Sequence, residues 1–508
     1  MQSHTEVQYA IIGAGFGGIL AALRLQASGR KSFVIFERGQ EPGGTWRDNI
    51  YPGCACDIPS VLYALSSEPN PHWTKHYADQ PEILAYLKAV VDRRNLGSHI
   101  HYGREIVNMR FLPESGHWLL TDQTGQTCSA RMVIAALGPL NRAFIPALPG
   151  RNSFRGKQMH SSGWDPGFDV RKKRVAVVGT GASAIQIIPA LSGQVDTLYV
   201  FQRTPAWVLP RFNRTLKPWT RKLFARLPWL QLAFRESIYW FQELQGLSFL
   251  GQRQVHRMAT QMAIRKIRRE VHDPNIRRAL TPGYALGCKR VLLSDEYYPS
   301  FNRANVELIT QPIQEITEGG VRTAEGREIP LDCIIWATGF TVSEFNVRTR
   351  FTGLGGRDLA DEWSTSGMQA YQGITVHGFP NLAFLLGPNT GLGHNSVVHI
   401  MESQMQYIMQ YIEALERVPE PGFLDVRRPV QEQYNAGLQR QFKGTVWSSG
   451  CRSWYQDARG NNTTIFPGLA SRYRRQTRRL RLADYDCIRS NDALSPTGDR
   501  SITSNVSQ

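Results

Sequence analysis

Two glycine-rich turns carry residue types that can hold a dinucleotide. In the first, Gly13-Ala14-Gly15-Phe16-Gly17-Gly18 separates an apolar run at residues 7–12 from an Ala/Leu-rich helical segment at 19–27. A second apolar run at 32–36 then ends in Glu37. Glycines at these spacings allow a tight turn and let a pyrophosphate approach the N–H groups of a helix N-terminus. An acid about 20 residues past the turn accepts hydrogen bonds from a ribose diol. In the second turn, Gly179-Thr180-Gly181-Ala182-Ser183-Ala184 follows a strand-like run at 174–178 and leads into a helical segment at 185–191. The next run, 197–201, ends in Gln202-Arg203-Thr204, where the first unit has Glu37. A guanidinium there pairs with a 2′-phosphate. The first unit is therefore expected to take FAD and the second NADPH.

Other residues with chemistry lie between and beyond these turns. The joint between the units, Phe154 to Asp165, holds a His and a Trp, and its position suggests that electrons pass from one dinucleotide to the other. Gly43-Gly44-Thr45-Trp46 and Tyr51-Pro52-Gly53-Cys54-Ala55-Cys56-Asp57 form a structured loop region. Beside a flavin, Thr45 and Trp46 would line the ring and Asp57 would present a carboxylate near its reactive edge; the plainer alternative is a surface loop with a capping Asp. Lys289 and Arg290 are adjacent cations at the end of a second loop, 284–290. A third Gly-rich loop, 387–394, puts Asn395 or Ser396 at the N-cap of a helix over 397–414, whose positive end would face the flavin's pyrimidine edge.

Two enzyme classes combine FAD with NADPH in one chain. Disulfide reductases need a reactive cysteine pair beside the flavin, but Cys54 and Cys56 are too closely spaced and precede the negative Asp57. Flavin monooxygenases instead reduce the flavin with NADPH, add dioxygen at flavin C4a, and must protect the resulting peroxide from water while a cation stands near it. Arg290 is the candidate cation, with Asp57 orienting it; the same charge would stabilise the oxyanion formed when the peroxide attacks a carbonyl.

The elements that must position these groups fit an α/β chain of two Rossmann-like dinucleotide-binding domains with a helical insertion. The expected boundaries are 1–145 and 385–488 for the FAD unit, 155–212 and 283–380 for the NADP unit, 213–282 for the insertion, and 489–508 for a disordered tail. The 508 residues carry a net charge of +17, with basic and aromatic residues recurring at helical spacing in the insertion. No nucleic-acid motif accompanies the charge, so no nucleic-acid partner is expected. A solvated cap is the plainer reading of the insertion, and membrane contact is not expected. Seven scattered cysteines without a Cys-x-x-Cys pair argue against a disulfide framework and a zinc site and for a reducing, cytoplasmic location. No metal is expected, and no signal peptide is expected at the N-terminus.

Up to about Tyr473 the chain resembles the Baeyer–Villiger flavin monooxygenases. The likeness rests on both glycine turns and on the fingerprint Phe154, Gly156, His160, Trp164 and Asp165 between them. It rests also on Tyr51-Pro52-Gly53 leading to Asp57, on Phe201-Gln202-Arg203-Thr204, and on Lys289-Arg290. The resemblance implies Arg290 as the essential cation with Asp57 its partner, and His160 as a hinge residue. It further implies Gly13, Gly15, Phe16, Gly18, Glu37, Gly44, Thr45, Trp46, Asp57, Tyr63 and Asn395 around FAD. Around NADP it implies Ala55, Cys56, Asp57, Gly179 to Ala184, Gln186, Arg203, Thr204, Lys289 and Trp336. The implied reaction converts a ketone and O2 to an ester or lactone. Heteroatom-oxidising flavin monooxygenases are the nearest rival, and a non-catalytic FAD-binding scaffold is the alternative of another class.

Overall fold

Each glycine turn seeds a parallel sheet. In the computed structural model, which describes residues 5–342 and 348–488, strand Thr5–Ile12 runs through Gly13 into helix Phe16–Ala27. Strand Phe33–Glu37 returns parallel to it, with Ile11 beside Ile35. Both strands are buried where they meet, as a sheet covered on both faces requires. The second unit repeats the plan with strand Arg174–Val178, helix Ala184–Ser192 and strand Thr197–Phe201. Its five strands are all parallel, in the order Val306–Ile309, Thr197–Phe201, Arg174–Val178, Cys333–Trp336, Lys157–His160. The architecture is the expected α/β one, two Rossmann-like units with a helical insertion.

The first sheet is the larger, with eight strands, because an antiparallel ribbon (Ile106–Leu112, His117–Asp122, Thr127–Ala135) is built onto its parallel part. Two further strands correct the expected boundary. Arg350–Thr352 and Leu382–Phe384 hydrogen-bond into this first sheet, so the chain has left the second one well before residue 380. The physical reason is apolar: Phe351, Trp363 and Phe384 join Met109, Phe111 and Trp118 in one buried cluster. The tail assigned as disordered, 489–508, lies outside the described residues.

The insertion consists of helices Pro218–Arg226, Pro228–Gly246, Arg253–Glu270 and Pro274–Ala279. Glu243, 3% exposed, anchors it to the rest of the molecule. Its carboxylate accepts from His394 Nε2 at 3.1 Å, Asn395 Nδ2 at 2.9 Å, and the backbone N–H groups of Ala470 and Ser471 at 3.1 and 2.9 Å. Burial alone would raise its pKa; the donors outweigh burial and hold it at about 2. A carboxyl depressed in the fold stabilises above its ordinary range, and that stabilisation disappears as pH falls from about 4.5 to about 2. We expect Glu243→Gln to lower the thermal midpoint at pH 7, with a gap to wild type of about 3 kcal/mol that closes over this acid window. A gap independent of pH would contradict the assignment.

The cysteines also need a correction. Cys288 and Cys451, 163 residues apart in sequence, form a disulfide with Cα atoms 6.3 Å apart. The chain brings them together because Phe249, Phe442, Trp447 and Tyr455 collapse into one cluster around Cys288. Cys54 and Cys56 stay buried, and burial pushes the Cys54 thiol up to about 12 and raises that of Cys56 as well. Neither is a thiolate at neutral pH. In a thiol titration of the denatured protein, reduction should add two thiols, and the native protein should leave Cys54 and Cys56 unalkylated by iodoacetamide. Rapid native alkylation of either would refute the burial argument.

Candidate active site

The first cradle is built from backbone. Gly13 has φ of +99°, and a Cβ there would sit 2.7 Å from Ala136 O. Gly15 and Gly44 face each other so closely that a Cβ on Gly44 would lie 3.2 Å from Gly15 Cα. Helix Phe16–Ala27 starts at Gly15 with no side chain capping it, leaving its first N–H groups for an anion. Glu37 is nearly fully buried at the strand end, with Oε2 accepting from Ala14 N at 2.7 Å and Oε1 from Gly39 N and Arg47 Nη1 at 2.8 and 2.6 Å. The carboxylate is thus fixed in place at the mouth of the turn. Beside it Phe16 and Trp46 both meet Tyr63 edge-on, at 5.0 and 5.6 Å, and Trp46 Nε1 donates to Tyr63 Oη at 3.2 Å. Thr45, exposed, begins the short helix Thr45–Asp48 that carries Trp46. These residues fit a flavin dinucleotide.

The second cradle is more open. Gly179 has φ of +117°, and a Cβ on Gly181 would meet nothing within 4 Å. Helix Ala184–Ser192 also lacks a side-chain cap, Ala182 and Gly181 are exposed at its entry, and Thr180 Oγ1 donates to Thr204 O at 2.7 Å. Arg203 is exposed and Lys289 partly so, and among the described residues no carboxylate lies within 4.0 Å of either. Lys289 stands 5.0 Å over the Tyr284 ring. Burial, and then the charge of Arg203, lower its pKa. Two cations that repel each other without a carboxylate between them suit a phosphate, so the residues fit a 2′-phosphorylated nicotinamide dinucleotide.

The loops of the two units converge on one ion pair. Arg290 Nη2 and Nε donate to Asp57 Oδ2 at 2.6 and 3.1 Å, linking positions 233 apart in sequence. Both side chains remain partly exposed, the guanidinium 33% and the carboxylate 24%. Asp57's charge, the largest influence, holds Arg290 even more firmly protonated than an ordinary arginine. Tyr455, in a stretch (450–455) whose sequence is expected to fold back toward the active site, either lining the pocket or packing, is buried next to the pair, and burial raises its pKa to about 12 against the opposing charge of Arg290. Arg211, not foreseen at all, donates from Nη2 to Cys56 O at 2.7 Å and holds the Asp57 loop from the insertion side. Only its place at the edge of the basic, aromatic stretch marked it.

The fingerprint acts as a clasp. His160 Nδ1 accepts from Ser162 N at 3.1 Å, so Nε2 carries the proton and donates to Gly339 O at 3.0 Å. Burial lowers its pKa, which keeps the ring neutral and this tautomer in place. Phe154 is buried, and Gly156 lies so close to its ring and to Asp332 O that a Cβ at 156 would clash with both. Asp165 pairs with Lys157 and accepts from Gly167 N at 2.9 Å, while Trp164 packs against the main core.

Three residues expected at the cofactors have protein partners. Asn395 is 3% exposed and turned to Glu243, while Ser396 supplies the helix cap through Val398 N–H at 3.2 Å. Trp336 is 1% exposed in the second sheet's core, its indole N–H donating to Gln158 Oε1 at 3.2 Å. Gln186 uses its amide to hold the Asp57 loop: Nε2 donates to Ala55 O at 2.9 Å, and Oε1 accepts from Tyr51 Oη at 3.0 Å. It joins the two units through protein contacts. Ala55 and Cys56 are themselves buried, with the Cys56 carbonyl taken by Arg211.

Known proteins share this chain's sequence and fold. The chain matches the flavin-binding monooxygenase-like family model over residues 6–347. It is 42% identical over 489 residues to a Baeyer–Villiger monooxygenase of Streptomyces coelicolor, 96% of this chain and 94% of that protein. To one of Pseudomonas aeruginosa it is 43% identical over 478 residues, 94% and 90% of the two chains. The solved structure of cyclohexanone monooxygenase from Rhodococcus sp. Phi1 bound to NADP+ superposes with a TM-score of 0.85 at 27% identity, covering 96% of this chain and 100% of that one. That of OTEMO in complex with FAD and NADP gives 0.85 at 25%, with the same coverage. Likeness over nearly the whole length places the chain in the flavin-binding monooxygenase-like family, among its Baeyer–Villiger enzymes.

Proposed function

We propose that the enzyme converts a ketone, O2, NADPH and a proton to an ester or lactone, water and NADP+, with FAD held in the first unit. The observation that carries this reading is the Arg290–Asp57 ion pair where the loops of the two units meet. Flavin, when bound, takes hydride from the nicotinamide and activates dioxygen. The chain's own residues do the rest. The Gly13–Gly18 turn and Glu37 bind FAD, and Phe16, Trp46 and Tyr63 shield it. Arg203, Thr204 and Lys289 hold the 2′-phosphate of the nicotinamide cofactor. Arg290 keeps a permanent positive charge where negative charge develops on the reacting oxygens, and Asp57 fixes the direction of its guanidinium. His160 holds the linker strand to the Gly339 turn, which fixes the entry strand of the second unit.

The test is product analysis on FAD-loaded protein with NADPH and air, offering a cyclic ketone, an aryl ketone and a thioether. Ester or lactone supports the proposal. Sulfoxide with no product from either ketone would replace it with heteroatom oxidation.

A further inference from the structure

Helix Pro228–Gly246 is inverted. Its inward face carries Gln231, Arg235, Tyr239 and Glu243, all buried. Its outward face carries Trp229, Leu232, Trp240 and Leu244, 63, 44, 56 and 63% exposed, with Phe241 beside them. Positions 229, 240 and 244 fall on one side of a helix of 3.6 residues per turn. The preceding helix, Pro218–Arg226, packs against this one through the stacked rings of Phe224 and Phe234 and adds the exposed Trp219. Of 16 exposed large hydrophobic side chains, 11 fall between Phe212 and Met262, so these are a patch and not the usual scatter.

The surrounding charge is one-sided. Residues 213–282 hold 14 Lys and Arg against four Asp and Glu, which is ten of the molecule's seventeen net positive charges. No acidic residue occurs from 197 to 235. Lys217, Lys222 and Arg226 are exposed, and among the described residues none has a carboxylate within 4.0 Å.

An apolar face with tryptophans, set among unneutralised cations, has the chemistry of the membrane interface. Indole rings settle at headgroup level, leucines reach the acyl boundary, and Lys and Arg meet anionic lipid. A second copy of the chain fits worse, because a two-fold contact would set this basic region against itself. We propose that helices Pro218–Arg226 and Pro228–Gly246 dock the enzyme on an anionic bilayer surface. They lie in the interface; among the described residues no helix is long and apolar enough to cross it. The proposal is independent of the reaction assigned to the active site.

Full-length, FAD-loaded protein is sedimented with vesicles of phosphatidylcholine alone or mixed with phosphatidylglycerol, at low and at high salt. The mixed vesicles should bind roughly a hundredfold more tightly at low salt, with the preference shrinking at high salt. The double variant Trp229→Ser/Trp240→Ser should lose at least about tenfold of that binding. The triple variant Lys217→Glu/Lys222→Glu/Arg226→Glu should lose the preference for anionic lipid. All five side chains point outward, and an unchanged thermal midpoint confirms that each variant folds. Equal binding to both vesicle types overturns the proposal, as does failure to sediment with either. Self-association abolished by Trp229→Ser/Trp240→Ser, without vesicle binding, overturns it in favour of a second copy.

Discussion

Arg290→Ala should lower ester or lactone formation by about 10²–10³-fold, the cost of removing one preorganised group facing developing negative charge. Flavin binding and NADPH oxidation should persist, with hydrogen peroxide replacing the organic product. The split is expected because Arg290 touches neither glycine turn; its partner is Asp57, at 2.6 Å. Arg290→Lys keeps the charge but loses the two-nitrogen grip on Asp57 Oδ2, so its rate should fall between those of wild type and Arg290→Ala. Asp57→Ala leaves the guanidinium charged but free to turn, and should uncouple oxidation from product less completely than Arg290→Ala. The measurement is the ratio of product formed to NADPH consumed, with peroxide quantified alongside. Wild-type coupling in Arg290→Ala would remove this residue from the proposed chemistry.

The strand, turn and helix of each unit were legible because they are local. Residues 174–178 and 197–201 read directly as strands from apolar runs bounded by glycine or polar residues, and both were found with those bounds. The antiparallel ribbon at 106–135 went largely unread, although His117–Asp122 buries alternate residues as a half-covered strand should. What sequence could not supply is distance. Asp57 and Arg290 meet across 233 positions, Cys288 and Cys451 across 163, and no periodicity encodes such pairs. The chemistry required of the site, and then the resemblance, supplied the first pair, and nothing supplied the second. The protein partners of Asn395 and Trp336 were unreadable for related reasons. The cap at the helix start is Ser396, which freed Asn395 to meet Glu243 of the insertion, 152 positions away. Trp336 ends a strand flanked on both sides in a parallel sheet, and its side chain packs in that sheet's core.

The same dependence on partners governs the nicotinamide site, where the largest binding effect is expected. Arg203→Ala and Lys289→Ala should each raise KM for NADPH by about 10–100-fold, the worth of one charged hydrogen bond at 1.5–3 kcal/mol. KM for NADH, which has no 2′-phosphate, should change little, so the preference between the cofactors collapses. Raising ionic strength should weaken NADPH binding in wild type more than in either variant. The two cations are also coupled, because the charge of Arg203 helps to lower the Lys289 pKa. A lysine binds phosphate only while protonated, so NADPH affinity must fall as pH rises through the Lys289 pKa. Removing Arg203 relieves the repulsion and moves that fall to higher pH, even as it weakens binding at every pH. A KM profile against pH for wild type and Arg203→Ala separates this from simple loss of a contact. If the alkaline limb stays where it was, Lys289 and Arg203 do not share the phosphate. If it moves up while NADH kinetics stay flat, they do.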